Sequence, residues 1–432
     1  MRSRLVSSLL PVATLLLAST PFTQAAVQNR VVHAVNNDNR VSLSGTIGGR
    51  ARHSVDLGPA PADRKLESLS LRFSMTPAQQ ADLNQLLTAQ QNPSSPSYRQ
   101  WLTSEQFGAR FGLSSSDLAK VSAWLTGEGF TITGIARSST FITFSGTIAQ
   151  VERAFGTTIH SVSLNGQQNI SNLTEPSLPA AIAGVVLDVT GLNDFRLKPR
   201  SRGHRVTIDP ARPGYTTTQN GITSHFIAPG DFYTIYDVAP LFTSGITGAG
   251  VTIAVMGQTA ISTADVAAFR TAAGLPANTP TLTLVPTSTN PGISTSDIDE
   301  SQLDIEWSGA AAPGATINFV YSTDVIGSSL TYAIDTLSPV PPIITLSYGG
   351  CESRFGASFL ATYNQLLQMA NAKGITVMSS VGDSGATDCD TSGIASEGLA
   401  VDFPGSSPFV TSAGGTMFNE GSGNYWNPAN TT

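Results

Sequence analysis

Apolar positions between about residue 64 and residue 192 change their period several times along the chain. An alternation over residues 69–75 predicts a β-strand, and Pro77 then begins a helix that the pattern extends to about Gln90. Further helices are predicted near 105–111, 116–126 and 149–155, and further strands near 130–135, 141–144, 158–164 and 185–189. This order of elements predicts an α+β unit of the split βαβ, ferredoxin-like kind, with its helices on one face of an antiparallel sheet.

After about residue 222 the pattern is different. Continuously apolar runs at 251–256, 316–321, 343–348 and 375–381 alternate with helical stretches at 263–273, 296–311, 328–337 and 355–372. Apolar strands separated by helices predict a parallel sheet that is covered by helices on both faces. In such sheets the functional side chains collect at the carboxyl ends of the strands.

The two patterned regions are separated by a basic segment, residues 196–221, that contains prolines and glycines and has little apolar periodicity. It is interpreted as an exposed linker where processing is easiest, although an ordinary interdomain loop has the same composition. At the N-terminus, Arg2 and Arg4 precede an apolar run over residues 5–18 and then small residues, which is the layout of a signal peptide. The predicted divisions are therefore a signal peptide (1–26), an N-terminal unit (27–195), a linker (196–221) and a C-terminal unit (222–432).

Composition narrows the possible partners. Acidic residues exceed basic ones, 30 to 23, so no basic surface is expected for nucleic acid. Apart from the signal peptide, no apolar run approaches the length of a membrane span, and we expect a secreted protein, extracellular or periplasmic. The two cysteines, Cys351 and Cys389, favour a disulfide over a metal site in an exported chain, with two free buried thiols as the alternative.

Histidine is nearly absent from the predicted α/β region. The five histidines lie at positions 33, 53, 160, 204 and 225. A Ser-His-Asp or Cys-His site is therefore excluded there, although the sequence Gly-Asp-Ser-Gly at 382–385 copies the nucleophile segment of chymotrypsin-like proteases. If this region carries out acyl transfer, its general base must be a carboxylate.

The best candidates for such a base are Glu300 and Asp304, which are four residues apart on a predicted helix and so share one face. In a cleft, one carboxyl of such a pair holds its proton to higher pH, and it can orient its neighbour as a base. Acidic pairs on helices are more often solvated surface, and the neighbouring Asp297, Asp299 and Glu306 are interpreted as solvent-facing.

Several segments together resemble one family. "ESQLDIEW", "TLSYGG", "SSVGDSGATDC" and "VDFPGSSPFVTSAGGT" occur in the order found in sedolisins, or serine-carboxyl peptidases. The earlier "SYRQWLTSEQFGARFGLS" looks like the pro-kumamolisin-type activation propeptide of that family. The resemblance implies a subtilisin-like parallel sheet, C-terminally incomplete in this chain, behind a ferredoxin-like propeptide. It also implies a secreted endopeptidase precursor that acts on polypeptides at acidic pH and is inhibited by its own propeptide.

The resemblance implies roles for three carboxyls. Glu300 matches the general base that takes the proton of the nucleophilic serine, and Asp304 matches the carboxyl that orients this base. Asp383 matches the acid of the oxyanion hole, which must be protonated to donate a hydrogen bond. A turn residue in Gly-Asp-Ser-Gly is the structural alternative for Asp383.

Two positions depart from the family pattern. The sequence Ser347-Tyr348-Gly349 occupies the strand end where many members have a tryptophan, and these three residues are expected to line the substrate cleft. Gln258 occupies a position where some members have a further acid.

The nucleophile of the family lies in a Ser-Gly-Thr-Ser motif, followed by a calcium site, and both are expected beyond Thr432. The two Ser-Gly-Thr sequences of this chain begin at Ser44 and Ser145, inside the predicted propeptide. Residues 1–432 alone are therefore expected to bind no cofactor or metal and to be inactive as a peptidase. The alternative function is a secreted, non-catalytic binding or scaffold protein that keeps the same fold.

Overall fold

A computed structural model of the chain describes residues 27–199, 216–219, 222–390 and 394–416. The predicted signal peptide and most of the predicted linker lie outside these residues. The described chain forms an N-terminal α+β unit and a C-terminal α/β unit. Within the described residues, no helix combines the length and the apolar character needed to cross a membrane.

The N-terminal unit is built around an antiparallel sheet. Its strands are β1 (Arg40–Ser42), β2 (Val55–Pro59), β3 (Lys65–Phe73), β4 (Thr131–Ile135), β5 (Phe141–Thr147), β6 (Ile159–Leu164), β7 (Gln167–Asn172), β8 (Ser177–Pro179) and β9 (Val186–Thr190). Its helices are α1 (Gly49–Arg52), α2 (Pro77–Gln91), α3 (Ser104–Phe111), α4 (Ser115–Gly127), α5 (Ile148–Phe155) and α6 (Ala180–Ala183). The main sheet has the order β4-β5-β3-β9, which is the strand order of the predicted ferredoxin-like arrangement.

Three helices of this unit begin with the same local device. Thr76, Thr103 and Thr147 are the N-cap residues of α2, α3 and α5, and each hydroxyl accepts a hydrogen bond from the backbone N–H three residues later. A glutamine at that third position bonds back to the N-cap backbone, so two N–H groups that the helix leaves unpaired are satisfied in each case. The beginnings of these helices are therefore encoded locally.

The C-terminal unit contains a large parallel sheet and several short strands outside it. Its strands, together with the short strand that leads into it, are β10 (Lys198–Pro199), β11 (Thr216–Gln219), β12 (Ile222–His225), β13 (Thr252–Gly257), β14 (Thr281–Leu284), β15 (Thr316–Tyr321), β16 (Ile343–Leu346), β17 (Tyr348–Cys351), β18 (Thr376–Ser380), β19 (Asp402–Phe403) and β20 (Thr411–Ala413). Its helices are α7 (Pro229–Ile235), α8 (Ala239–Thr243), α9 (Thr263–Ala272), α10 (Ile298–Ala311), α11 (Thr331–Asp335) and α12 (Ala357–Ala372), with a π-helical turn at Val325–Leu330 and a 3₁₀ turn at Glu352–Arg354.

Six of these strands form a parallel sheet in the order β14-β15-β13-β16-β18-β20. Alternate residues of the central strand β13 enter different cores. Ala254 and Met256 pack in the core that contains α11 and α12, whereas Val255 packs in the core that contains α9 and α10. The predicted parallel sheet with helices on both faces is confirmed.

Two predicted elements are divided in the structure. The apolar run 343–348 was predicted as one strand, but β16 ends at Leu346 and β17 begins at Tyr348 as part of a separate antiparallel sheet. Ser347 lies between the two strands and belongs to neither of them. Its side chain bonds to Asp304 of α10. The predicted helix 328–337 begins as the π-helical turn, where the Asp324 carboxylate accepts the N–H groups of Ile326 and Gly327.

The two units share one apolar core. Leu83 of α2 and Phe107 of α3 are fully buried in the same cluster as Leu367 of α12. Beside this core, the carboxylate of Asp335 accepts the backbone N–H groups of Arg137 and of the next residue, each at 3.0 Å. The N-terminal unit therefore packs against the face of the parallel sheet that is covered by α11 and α12.

Candidate active site

The predicted site residues meet where the parallel strands end and α10 begins. The hydroxyl of Ser347, directly after β16, donates a 2.7 Å hydrogen bond to Oδ1 of Asp304 in α10. One residue further on, the hydroxyl of Tyr348 lies 3.1 Å from Oγ of Ser301 in the same helix. The structure thus holds the helix with the acidic pair against the strand end that was predicted to bind substrate.

Glu300 and Asp304 share one face of α10, and Glu300 is only 4% exposed. Burial raises the pKa of Asp304 well above its usual range, and the nearby charge of Glu300 raises it further. The hydrogen bond from Ser347 favours the charged form of Asp304, while a hydrogen bond shared with Glu300 favours the protonated form. The pair therefore retains one proton at pH values where isolated carboxyls have lost theirs.

Of the three acids interpreted as solvent-facing, Asp297 is buried and Glu306 is half-buried, so that interpretation was wrong for Asp297 and only partly right for Glu306. Asp297 is 2% exposed because Gln258, at the end of β13, donates to its Oδ1 at 2.7 Å and two serine hydroxyls also bond to it. Partial burial raises the pKa of Glu306 to about 8, and the charge of Asp265 adds to the effect. Asp299 is exposed, as predicted. Asp297 directly precedes α10, three residues before the buried Glu300. Side chains at this spacing lie close together on a helix, so the spacing was a signal that Asp297 lies near Glu300.

Asp383 lies in the turn after β18 and is exposed to solvent. The structure therefore brings Glu300, Asp304, Ser347 and Tyr348 together and leaves Asp383 outside this buried group. Its role in an oxyanion hole stays a prediction. Within the described residues, no group of three or more His, Cys, Asp or Glu side chains could hold a metal ion.

The predicted disulfide between Cys351 and Cys389 is present, with a Cα–Cα distance of 4.9 Å. Cys351 ends β17, and Cys389 lies six residues after Asp383 in the loop that follows β18. The bond therefore ties the loop that carries Asp383 to the strand that carries Tyr348 and Gly349.

A segment that leaves the N-terminal unit crosses the predicted substrate-binding residues. We call residues 195–199 the tail. In the tail, Lys198 and Pro199 form β10 and pair antiparallel with Gly349 and Tyr348 of β17. Just before this strand, the side chain of Leu197 is buried in the core that the two units share. The tail therefore occupies the strand edge at which substrate is predicted to bind.

Two further residues hold the tail, and sequence reasoning did not identify either as a tail contact. The side-chain amide of Gln258 donates to the carbonyl oxygen of Leu197 at 2.7 Å, and Arg196 donates to the backbone oxygen of Gln258 at 2.6 Å. Arg50, in α1, lies over the rings of Phe195 and Phe355. These contacts join positions far apart in the chain, and no local pattern signals them.

Comparison with known proteins finds a family model that matches the N-terminal unit and relatives that are similar over most of the chain. Residues 52–195 match the family model described as "Pro-kumamolisin, activation domain". Kumamolisin from Bacillus sp. (strain MN-32) is 29% identical over 395 residues, which are 88% of this chain and 67% of that protein. Sedolisin from Pseudomonas sp. (strain 101) is 27% identical over 84% of this chain and 62% of its own length. Tripeptidyl-peptidase 1 from Bos taurus is 29% identical over 84% of this chain and 64% of its own length.

The chain spans about two thirds of the length of the curated relatives that it matches. Among solved structures, Pseudomonas sedolisin, a serine-carboxyl proteinase complexed with pseudo-iodotyrostatin, is 24% identical. That match has a TM-score of 0.38 and covers 45% of this chain and 55% of the other.

Proposed function

We propose that this chain is the precursor of a secreted, acid-acting endopeptidase of the sedolisin, or serine-carboxyl, family, because residues 52–195 match the pro-kumamolisin activation domain and the chain is similar to kumamolisin, sedolisin and tripeptidyl-peptidase 1. The observation that carries the proposal is the buried Glu300–Asp304 pair, bonded through Asp304 to the strand end beside the tail. A base of this kind takes the place of an imidazole, because the only histidine of the C-terminal unit's sequence, His225, stands at its beginning. Signal-directed export and the residue boundaries given above are parts of the same proposal.

In the proposed reaction, Glu300 accepts the proton of a serine hydroxyl as that oxygen attacks the scissile carbonyl, and later returns it to the leaving amine. Asp304 orients Glu300 through their shared proton, and the bond from Ser347 fixes Asp304 in turn. Asp383, when protonated, donates to the developing oxyanion. The serine is expected in a Ser-Gly-Thr-Ser motif, which residues 1–432 do not contain.

The proposed reaction is confined to acidic solution for two reasons. The raised pKa of Asp304 keeps one proton on the pair, and loss of that proton at higher pH would place two charges in a buried site. An ionised Asp383 would repel the oxyanion that it is proposed to stabilise. Both effects reduce the rate as the pH rises.

The N-terminal unit is proposed to inhibit this site through the tail. Its strand β10 covers Tyr348 and Gly349, so a polypeptide substrate cannot pair there while the tail is bound. The tail continues into residues 200–215, which lie outside the described residues and belong to the segment 196–221 in which the processing site is predicted. Cleavage in that segment would free the tail from the chain that follows it.

Hydrolysis by the full-length gene product tests the proposed function. We expect acid-treated full-length protein to cleave members of a broad peptide library between pH 3 and 5 and to be nearly inactive at pH 7. Residues 27–432 expressed alone are the matched control and are expected to be inactive. Peptide binding without hydrolysis at any pH would contradict the proposal and support the non-catalytic scaffold.

The Arg50→Ala variant is expected to loosen the tail. The Arg50 guanidinium lies 5.5 Å from the ring centre of Phe195 and 4.8 Å from that of Phe355, so it joins the tail to the C-terminal unit. Hydrogen–deuterium exchange of peptides covering residues 193–199 should become about tenfold faster in this variant, since a desolvated contact of this kind contributes about 1–2 kcal/mol. Arg52, exposed on the same helix, provides the control variant Arg52→Ala. Equal exchange in both variants would show that Arg50 does not hold the tail.

A further inference from the structure

The side-chain amide of Gln258 is held in one orientation beneath the tail. Gln258 is 1% exposed, and its Nε2 donates to Oδ1 of Asp297 and to the carbonyl oxygen of Leu197, each at 2.7 Å. Because both of these partners are acceptors, they require the nitrogen side of the amide, which has two N–H groups to give. Asp297 belongs to the C-terminal unit, so it fixes the amide whether or not the tail is bound.

The carbonyl that Gln258 contacts belongs to an extended peptide in the cleft. Leu197 immediately precedes β10, whose two residues pair antiparallel with Gly349 and Tyr348. A peptide that pairs with the same strand edge in the same direction presents a backbone carbonyl at the position of the Leu197 carbonyl. The second N–H of Gln258 points at that position and is left without an acceptor when the tail departs.

We infer that Gln258 anchors polypeptide substrates by donating a hydrogen bond to a backbone carbonyl, first that of Leu197 in the tail and then that of the substrate. This inference rests on the proposed function. Every residue of a polypeptide has a backbone carbonyl, whatever its side chain. The contact therefore selects an extended backbone rather than a particular sequence. An amide does not titrate, so the anchor works throughout the acidic range, whereas a carboxyl at this position donates only when it is protonated.

Release of the tail is the first measurement, and it does not depend on catalysis. In the uncleaved full-length protein, Gln258→Leu removes both donors, and hydrogen–deuterium exchange in residues 193–199 is expected to be about fivefold to tenfold faster than in the parent protein. Gln302→Leu is the matched control, because Gln302 lies on α10 and its amide bonds to Asp265, away from the tail. Unchanged exchange in Gln258→Leu would overturn the inference for the tail.

Substrate anchoring is measured on the acid-processed full-length protein with two versions of one cleavable peptide. One is unmodified, and the other has a thioamide at the carbonyl that takes the place of Leu197, because sulfur is the weaker acceptor. We expect Gln258→Leu to raise KM about tenfold for the unmodified peptide with little change in kcat, as loss of uniform binding does. The thioamide should raise KM for the parent protein and have no further effect in Gln258→Leu.

The thioamide comparison in the parent protein alters no residue of the chain, so it remains decisive if Gln258→Leu does not fold. A thioamide peptide with the KM of the unmodified peptide would overturn the inference, as would an equal thioamide effect in parent and variant. Absence of cleavage of any peptide by the parent protein would refute the proposed function instead, and the exchange measurement would still report whether Gln258 holds the tail.

Discussion

Glu300→Gln in the full-length protein is expected to lower kcat/KM for peptide hydrolysis by about 10³-fold at acidic pH. The substitution keeps the size of the side chain and removes the carboxylate that is proposed to accept the serine proton, a contribution that typically amounts to 10²- to 10⁴-fold. The loss should appear mainly in kcat, since Glu300 is buried in α10 beneath the cleft and is not proposed to bind the peptide. Steady-state kinetics between pH 3 and 5 measures it.

Glu306→Gln is the matched control for this experiment. Glu306 lies on the same helix and its pKa is also raised by burial, but it faces Asp265 rather than the pair. Its replacement is expected to leave kcat/KM within about threefold of the parent value, because residues two apart on a helix do not face each other and Glu306 interacts with Asp265 instead. If Glu300→Gln retained most of the activity, or if both variants lost it equally, Glu300 would not be the general base.

Most of the secondary structure could be predicted because it is encoded in local patterns. The strand predicted at 316–321 is β15 without any change of bounds, and the predicted helix 105–111 differs from α3 by one residue. A Thr-x-x-Gln segment also marks the beginning of α2, α3 and α5 in the sequence. The short strands β1, β8 and β10 were missed, because two or three residues carry no measurable period.

The candidate site was predicted less completely than the fold. The i, i+4 spacing placed Glu300 and Asp304 on one face correctly, and the contact of Ser347 with Asp304 agrees with the expected cleft. Burial of Asp297 depends on Gln258, which is 39 residues away in the chain, and no local pattern contains such a contact. The two cysteines, in contrast, could be paired from sequence because there was no third thiol to compete.

Burial of carboxyl groups makes the stability of the folded chain depend on pH. Asp188, Asp304 and Glu306 all have raised pKa values, and burial is the largest cause in each case. Burial raises the pKa of Asp188, in β9, from 3.8 to about 6, although hydrogen bonds from Ser358 and from the Val189 backbone oppose the shift. Glu306 is shifted in the same direction.

The sign of the effect follows from proton linkage. Between pH 3.8 and about 6, Asp188 is protonated in the folded protein and ionised in the unfolded chain, so the free energy of unfolding falls as the pH rises. Exposed carboxyls with lowered pKa values, such as Asp56 and Glu105, act in the opposite direction only below their ordinary values of 3.8 and 4.5. Between pH 4.5 and 8, the carboxyls with raised pKa values, such as Asp188 and Glu306, therefore make the free energy of unfolding fall as the pH rises.

We expect the free energy of unfolding to decrease by about 2 kcal/mol between pH 4 and pH 8 through Asp188, because this carboxyl is already partly ionised in the unfolded chain at pH 4. Urea unfolding across this range measures it, and Asp188→Asn should remove about 2 kcal/mol of the dependence by destroying the titrating group. Asp63→Asn, at an exposed position, is the control and should leave the pH dependence unchanged. A parent protein whose stability rises with pH over this range would contradict the prediction.

The same linkage bears on how the N-terminal unit is released. Asp188 is buried and accepts a 2.9 Å hydrogen bond from Ser358 of α12. Burial disfavours the charged form of Asp188 more than this bond favours it, so protonation in acid does not weaken the contact between the two units. Asp188→Asn should therefore leave their association unchanged at pH 4 and tighten it at pH 8, where the charged form of Asp188 is costly to bury. Acid acting on Asp188 cannot drive the units apart. Release must then depend on cleavage after the tail or on groups elsewhere in the interface, and the pH dependence of association in the two proteins separates these routes.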